Sequence, residues 1–418
     1  MSDEVRELLR RGAGSSRLAW GFDSVWRRTQ RQRARNTALK TIATVAIVIV
    51  VAVGVPLIRS NQSAEDRRIA PVGKATWQRI PAAPIDGRTG NVAVWTGEEM
   101  LIWGGGIDAT NDYAGLVNGA AFNPGTQEWR HLSDGPFESA GGRTAVWTGE
   151  AMLVWGGEGG NSSHGKPDNG AAYDPRADSW TELPSSPYWS LASHSAIWTG
   201  EEMVVWGGVD MESRGAAFDP RSGAWRTIAP ATIDGRFRHA AVWTGTEMIV
   251  WGRAAGAGGH PLRTGAAYDP DADSWRELPR APLSARDSPT AVWTGDEMIV
   301  WGGWNKANEA LFDGAAYDPA SDKWRDLPRA PVSAGLPDTP VAWTGQEMVV
   351  VGAMGDLAAY SPEENEWATL PEPPMGEVMS PTILRAEGEL IVWGGASLSK
   401  SANSVSFSHE GAILHLAQ

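Results

Sequence analysis

The run "AVWTGEEMLIWGG" at 93–105 constrains this chain more than any other feature, because it recurs. The sequence reads "AVWTGEAMLVWGG" at 145–157, "AIWTGEEMVVWGG" at 196–208, "AVWTGTEMIVWG" from 241 and "AVWTGDEMIVWGG" from 291. Weaker copies are "VAWTGQEMVVVGA" from 341 and "TILRAEGELIVWGG" from 382. Each copy is two apolar runs joined, in six of them, by Thr-Gly, whose glycine supplies the positive φ of a tight hairpin. The second run is unbroken and apolar, which suits a strand buried on both faces.

Two further pieces complete the unit: Gly-Ala-Ala-Tyr/Phe followed by an Asp-Pro turn, then a tryptophan-bearing piece that usually ends in Leu-Pro. Tyr or Phe precedes Trp by seven residues in Phe122/Trp129, Tyr173/Trp180, Phe218/Trp225, Tyr268/Trp275, Tyr317/Trp324 and Tyr360/Trp367. The first-strand anchors Trp95, Trp147, Trp198, Trp243, Trp293, Trp343 and Arg385 are spaced 52, 51, 45, 50, 50 and 42 residues apart. A four-stranded unit of about 50 residues, repeated seven times, is the signature of a β-propeller. A sheet this apolar on both faces cannot stand alone, but around an axis each blade buries its neighbours. The tryptophans suit that task, each burying ~150–250 Å². The methionines Met100, Met152, Met203, Met248, Met298 and Met348 read as core between blades.

The glycine doublet, then an aromatic, then Trp resembles the kelch motif of the galactose-oxidase-like propellers, here in a membrane-anchored bacterial form. The likeness covers residues 75–418. It implies blades running from an inner first strand to an outer fourth, and little about activity, since propellers host unrelated functions. The expected fold is all-β: a seven-bladed kelch-like β-propeller preceded by a single transmembrane helix. Six fourth strands follow the first six third strands, and a seventh, "ATWQRI" at 75–80, precedes everything. Gly411-Ala412-Ile413-Leu414 aligns with Gly-Ala-Ala-Tyr, so 75–80 is expected to close the ring as the outer strand of the last blade. The alternative takes 404–408 as third strand and 412–416 as fourth, leaving the Trp77 strand surplus.

The N-terminal region reads as a membrane address. Residues 41–58 are apolar and charge-free between Lys40 and Arg59, and a helix of that length rises ~27 Å at ~1.5 Å per residue, close to the hydrocarbon thickness. Arg27, Arg28, Arg31, Arg33, Arg35 and Lys40 precede it, which keeps 1–40 cytoplasmic as a basic tail and exports the rest. The long basic region before it favours an uncleaved signal anchor over a cleaved signal peptide. Residues 59–74 form a flexible stalk with a reach of roughly 20 Å, leading into the propeller at 75–418. The expected location is the cell membrane, single-pass, with the propeller outside the cytoplasm.

Residues 1–59 carry 11 Lys/Arg against 4 Asp/Glu within a chain of net charge −14, so the body is strongly acidic. That argues against nucleic acid as a partner, because phosphate binding needs a basic face. The chain has no cysteine, which excludes disulfides, cysteine metal sites and the Tyr–Cys cross-link of galactose oxidase. The Asp-boxes of sialidase propellers are also missing. His164 and His260 are too isolated to suggest a metal, and the Asp-rich turns at Asp174, Asp178, Asp269, Asp271 and Asp273 lack the glycine and glutamate of a calcium hand. No cofactor or metal is called for.

Strand polarity sorts the loops into two faces. One holds the Thr-Gly hairpins, with acids at Glu99, Glu202, Glu247, Glu297, Glu347 and Glu389, expected as solvated tips. The other holds the variable loops 106–118, 158–169, 209–214, 254–264, 304–313, 354–356 and 396–410, where binding specificity belongs. On that rim sit Arg88, Arg143, His194, Arg236, Arg238, His239 and Arg286. Two readings of them are open: a cationic, His-containing binding mouth, or a plug paired with Asp86, Asp234, Asp287 and Asp338. The functional expectation is a recognition module for a protein or cell-surface glycan bound on the rim. The alternative is a cofactor-independent isomerase or lyase acting on a small anionic or sugar substrate at the mouth. No nucleophile–base pair is legible.

Overall fold

Six of the seven blades turn their first hairpin on the same chemistry. Gly97, Gly149, Gly200, Gly245, Gly295 and Gly345 hold φ between 97° and 110°, a region that L side chains rarely adopt. The preceding threonine hydroxyl accepts backbone N–H groups across the turn, Thr96 from Glu98 at 3.2 Å and from Glu99 at 2.9 Å.

The computed structural model describes residues 75–106, 115–137, 142–157, 170–188, 193–208, 213–253, 261–307, 309–334, 339–399 and 404–416. The expected tail, span and stalk (1–74) lie outside these residues, as do most of the variable-loop tips. Among the described residues no helix is long and apolar enough to cross a membrane.

Seven four-stranded antiparallel sheets form the ring. Their first strands are Val92–Trp95, Arg143–Trp147, Ser195–Trp198, Ala240–Trp243, Thr290–Trp293, Val341–Trp343 and Thr382–Ala386, heading blades one to seven. These strands neighbour one another in turn, and the seventh returns to the first. Blade seven orders its strands Thr382–Ala386, Glu389–Trp393, Gly411–His415 and Thr76–Ile80. The first described strand of the chain thus pairs with Gly411–His415, Trp77 opposite Leu414. Ser404–Phe407 is not a blade strand; it forms a separate hairpin with Ala396–Ser399.

The core lies between blades. Each of the seven main apolar clusters joins residues of two neighbours, as where Trp301 and Ile299 of blade five meet Met348 and Tyr360 of blade six. The second-strand tryptophans Trp103, Trp155, Trp206, Trp251, Trp301 and Trp393 are at most 1% exposed. The glycine opening the third strand makes room for each: a Cβ on Gly265 would stand 2.9 Å from Trp251 Cδ1 and 2.5 Å from the Val250 carbonyl oxygen. Blade six replaces both members together, with Val351 paired to Leu357. Volume is conserved where chemistry is not.

Each outer-strand tryptophan also bolts its blade to the one before. Trp129, Trp180, Trp225, Trp275, Trp324 and Trp367 donate their indole N–H to the carbonyls of Pro81, Ser133, Pro184, Ala229, Pro279 and Pro328, all at 2.8–2.9 Å. Trp77 makes the seventh bond, to Pro371 at 3.0 Å.

Candidate functional site: the variable-loop face

The variable loops join second to third strands, and each described loop is closed at its base by one backbone bond. Gly104, Gly207, Gly252, Gly302 and Gly394 donate to the carbonyls of Asn118, Arg214, Thr264, Asp313 and Glu410, at 3.0–3.2 Å. Gly352 does the same to Asp356 at 2.6 Å.

Three of the rim arginines reinforce these bases. Arg88 donates Nη1 to the carbonyls of Gly104 (2.9 Å) and Asn118 (3.0 Å), and Nη2 to Asn118 Oδ1 (2.9 Å). Arg236 straps Gly252, the Thr264 carbonyl and Thr264 Oγ1 in the same way. Arg286 straps Gly302, the Asp313 carbonyl and Asp313 Oδ2. Their exposures are 0, 1 and 0%. Burial pulls Arg88 and Arg236 down to about 10, with Asp86 and Asp234 opposing, so both remain charged at neutral pH. The fork of five donors matches paired carbonyl stems.

Of the two readings of these residues, their burial favours a plug over an open cationic mouth. Arg88, Arg236 and Arg286 face loop stems, not solvent. Arg143 is 6% exposed, its guanidinium 3.8 Å from the Phe137 ring centroid. His194 is 7% exposed and shares a 2.7 Å hydrogen bond with Thr144 Oγ1 of the previous blade, its ring edge-on to Trp155. His239 repeats this with Ser195 Oγ at 2.9 Å and Trp206. Burial, with Arg236 and His194 adding, pushes His239 down to about 3. Asn91 donates to Thr382 Oγ1 at 2.8 Å, placing the same latch between blades one and seven. Of the proposed acidic partners, Asp287 pairs with Arg253, and Asp338 lies outside the described residues.

Of the set only His239 and Arg238 stay partly exposed, and the Arg238 side chain has no hydrogen bond or ion pair among the described residues. It occupies a left-handed position, φ 51°, which other blades give to Gly90, Gly142, Ser193, Ser288 and Ser380. A cleft of about 260 Å³ opens on this same face, between the extra hairpin and blade seven. Met375, Val378, Ser397, Phe407, His409 and Glu410 contribute to its lining. Among the described residues no cluster of His, Asp or Glu is arranged to hold a metal.

The opposite face also departs from expectation. Four of its glutamates are not free tips but members of clamps between blades. Arg130 holds Glu99 with two bonds, 2.6 and 3.0 Å, and reaches the Tyr173 hydroxyl of blade two at 3.1 Å; Tyr173 in turn donates to Asp178 at 2.6 Å. Arg226–Glu202–Tyr268–Asp273, Arg276–Glu247–Tyr317–Asp322 and Arg325–Glu297–Tyr360–Asn365 repeat it. The hydrogen bond to Glu99 raises Arg130, and that from Tyr173 lowers Asp178. Where blades two and three meet, the positions read Ala151, Thr181, Phe218 and Gly223, so the four members are lost together.

No curated protein matches the chain. A family model described as the KLHDC2/KLHL20/DRC7 Kelch-repeats domain matches residues 142–354 and, in a second placement, 193–397. The first placement alone spans just over half of the chain, and the second is offset by 51 residues, one blade. Seven blades, their repeated bolts and these two matches lead to one conclusion: the chain belongs to the kelch-repeat propeller family.

Proposed function

We propose that this kelch propeller is a membrane-anchored recognition module, displayed outside the cytoplasm, that binds a protein or a cell-surface glycan through its variable-loop face. The observation that carries this reading is the contrast within each blade. The tryptophan bolt recurs in all seven blades, while loops of unequal length rise from bases closed by the same backbone bond on one side of the ring. A rigid base under variable loops is how a scaffold presents a specific surface.

The anchor fixes which way that surface looks. Ala75 leads into Thr76–Ile80 at the hairpin end of blade seven, since Thr76 pairs with His415 and Ile80 with Gly411. A chain arriving from an apolar span at 41–58 through the stalk 59–74 therefore meets the propeller on its hairpin face. The loop face then points away from the membrane, toward a partner. An enzyme at the mouth has less support, because Arg88, Arg236 and Arg286 are engaged with loop stems and His194 and His239 with neighbouring blades.

Export is directly testable, because the chain has no cysteine of its own. Lys306→Cys on the loop face should react with a membrane-impermeant maleimide in intact cells. Labelling only after lysis would overturn the exported reading.

A further inference from the structure

We propose that Glu347 is a socket for the guanidinium of an arginine side chain supplied from outside the seven blades. The equivalent glutamates Glu99, Glu202, Glu247 and Glu297 each hold an arginine of their own outer strand, with closest contacts of 2.6 Å. In blade six that arginine position is Ala368, and Leu414 of blade seven stands where Tyr173 or Tyr268 would. The carboxylate has been kept and its cation removed. Blade two shows the other outcome, where Thr181 comes with Ala151 and no acid remains. Glu389 in blade seven has His415 at 2.6 Å. Glu347 has no hydrogen bond or ion pair to its carboxylate among the described residues.

The surroundings suit a guanidinium. Glu347 is partly buried, and burial with nearby Glu364 raises its carboxyl above the usual range. A cation placed there would relieve both effects, and Glu364 adds a second negative charge rather than a competitor. At this seam Ala75 and Leu416, partly exposed, pack against the cluster that holds Val349 and Leu414, and an arginine stem packs well on such apolar surface. In other blades the turn between third and fourth strands covers this spot with Asp178, Asp273, Asp322 or Asn365. In blade seven the third and fourth strands are Gly411–His415 and Thr76–Ile80, which no such turn joins. The same guanidinium can thus come from a partner or from Arg67 and Arg68, seven or eight residues before Ala75, within ~25 Å of extended chain.

The test uses the full chain and arginine amide as probe, read by melting temperature. A ligand that binds only the folded state raises it by mass action. A partner-supplied arginine predicts a saturable rise of a few degrees at millimolar probe in the wild type, absent in Glu347→Gln. It also predicts that Ala368→Arg, which restores the strand's own cation, abolishes the response. An arginine from the chain itself predicts a silent wild type, while Arg67→Ala/Arg68→Ala melts lower and gains the response. If neither the wild type nor the double variant responds beyond Glu347→Gln, the proposal is wrong.

Discussion

The indole N–H of Trp77 donates to the carbonyl of Pro371, 3.0 Å away in space and 294 residues along the chain. It is the last of seven equivalent bonds, and it ties the first outer strand to blade six. The propeller is therefore closed by a strand from the far end of its sequence, held by the same bolt that every other blade uses. Trp77→Phe removes the donor and keeps most of the ring's area. It should cost about 1 kcal/mol by urea unfolding, close to the cost of Trp275→Phe. An unchanged midpoint would mean the closing strand contributes no bolt.

The inter-blade clamps are expected to act as units. Burial, with the bond to Asp322 adding, pushes the Tyr317 hydroxyl up to about 12, so it is a neutral donor at any ordinary pH. In a double-mutant cycle, Arg276→Met and Tyr317→Phe should couple by ~1 kcal/mol. Thr181→Val and Phe218→Leu, at the seam without a clamp, should add independently. Additivity at both seams would reduce the clamp to decoration.

Acid stability carries a signature of His239. Its folded value lies near 3 against an ordinary 6.5. Between these the unfolded chain takes up a proton that the folded chain refuses. Stability is therefore full above pH 6.5 and falls as pH drops toward 3, by at most ~1.4 kcal/mol per pH unit for one proton. His239→Gln should show a shallower fall over pH 6.5 to 4. Identical slopes would place the titration elsewhere.

Gly265 and Trp251 should behave as one volume. Gly265→Leu drives a side chain into Trp251 and the Val250 carbonyl and should cost about 1–3 kcal/mol or more. Adding Trp251→Val, which reproduces the Val351–Leu357 pair of blade six, should recover part of that loss. No recovery would show that the Val351–Leu357 exchange depends on its own blade.

Much of this fold was legible as pattern. The Thr-Gly hairpins, the Tyr/Phe-to-Trp spacing and the unmatched strand at 75–80 point to blades and to their outer strands, because periodicity reports burial. The rim stayed open between two readings for a physical reason. Charge along a sequence does not say whether a guanidinium meets water or paired carbonyls, and Arg88, Arg236 and Arg286 meet carbonyls. A finer signal was present. Asn118, Thr264 and Asp313, the side chains that receive those arginines, stand just before the third-strand glycine. Likewise His194 and His239 sit four residues before their anchors, with Thr144 and Ser195 three before the previous ones. At the corresponding places Pro289 and Pro381 replace the histidines, and the previous blades carry Ala240 and Pro340. The expected membrane span and most of the loop tips fall in segments outside the described residues, and no repeat informs them.

The most direct measurement is site-specific photocrosslinking in native membranes, with a benzophenone side chain at Lys306 on the loop face or at Asp296 on the hairpin face, both exposed. A discrete cross-linked partner is expected from Lys306 and none from Asp296. A partner captured from Asp296 alone would contradict recognition on the loop face and move it to the face that the clamps occupy.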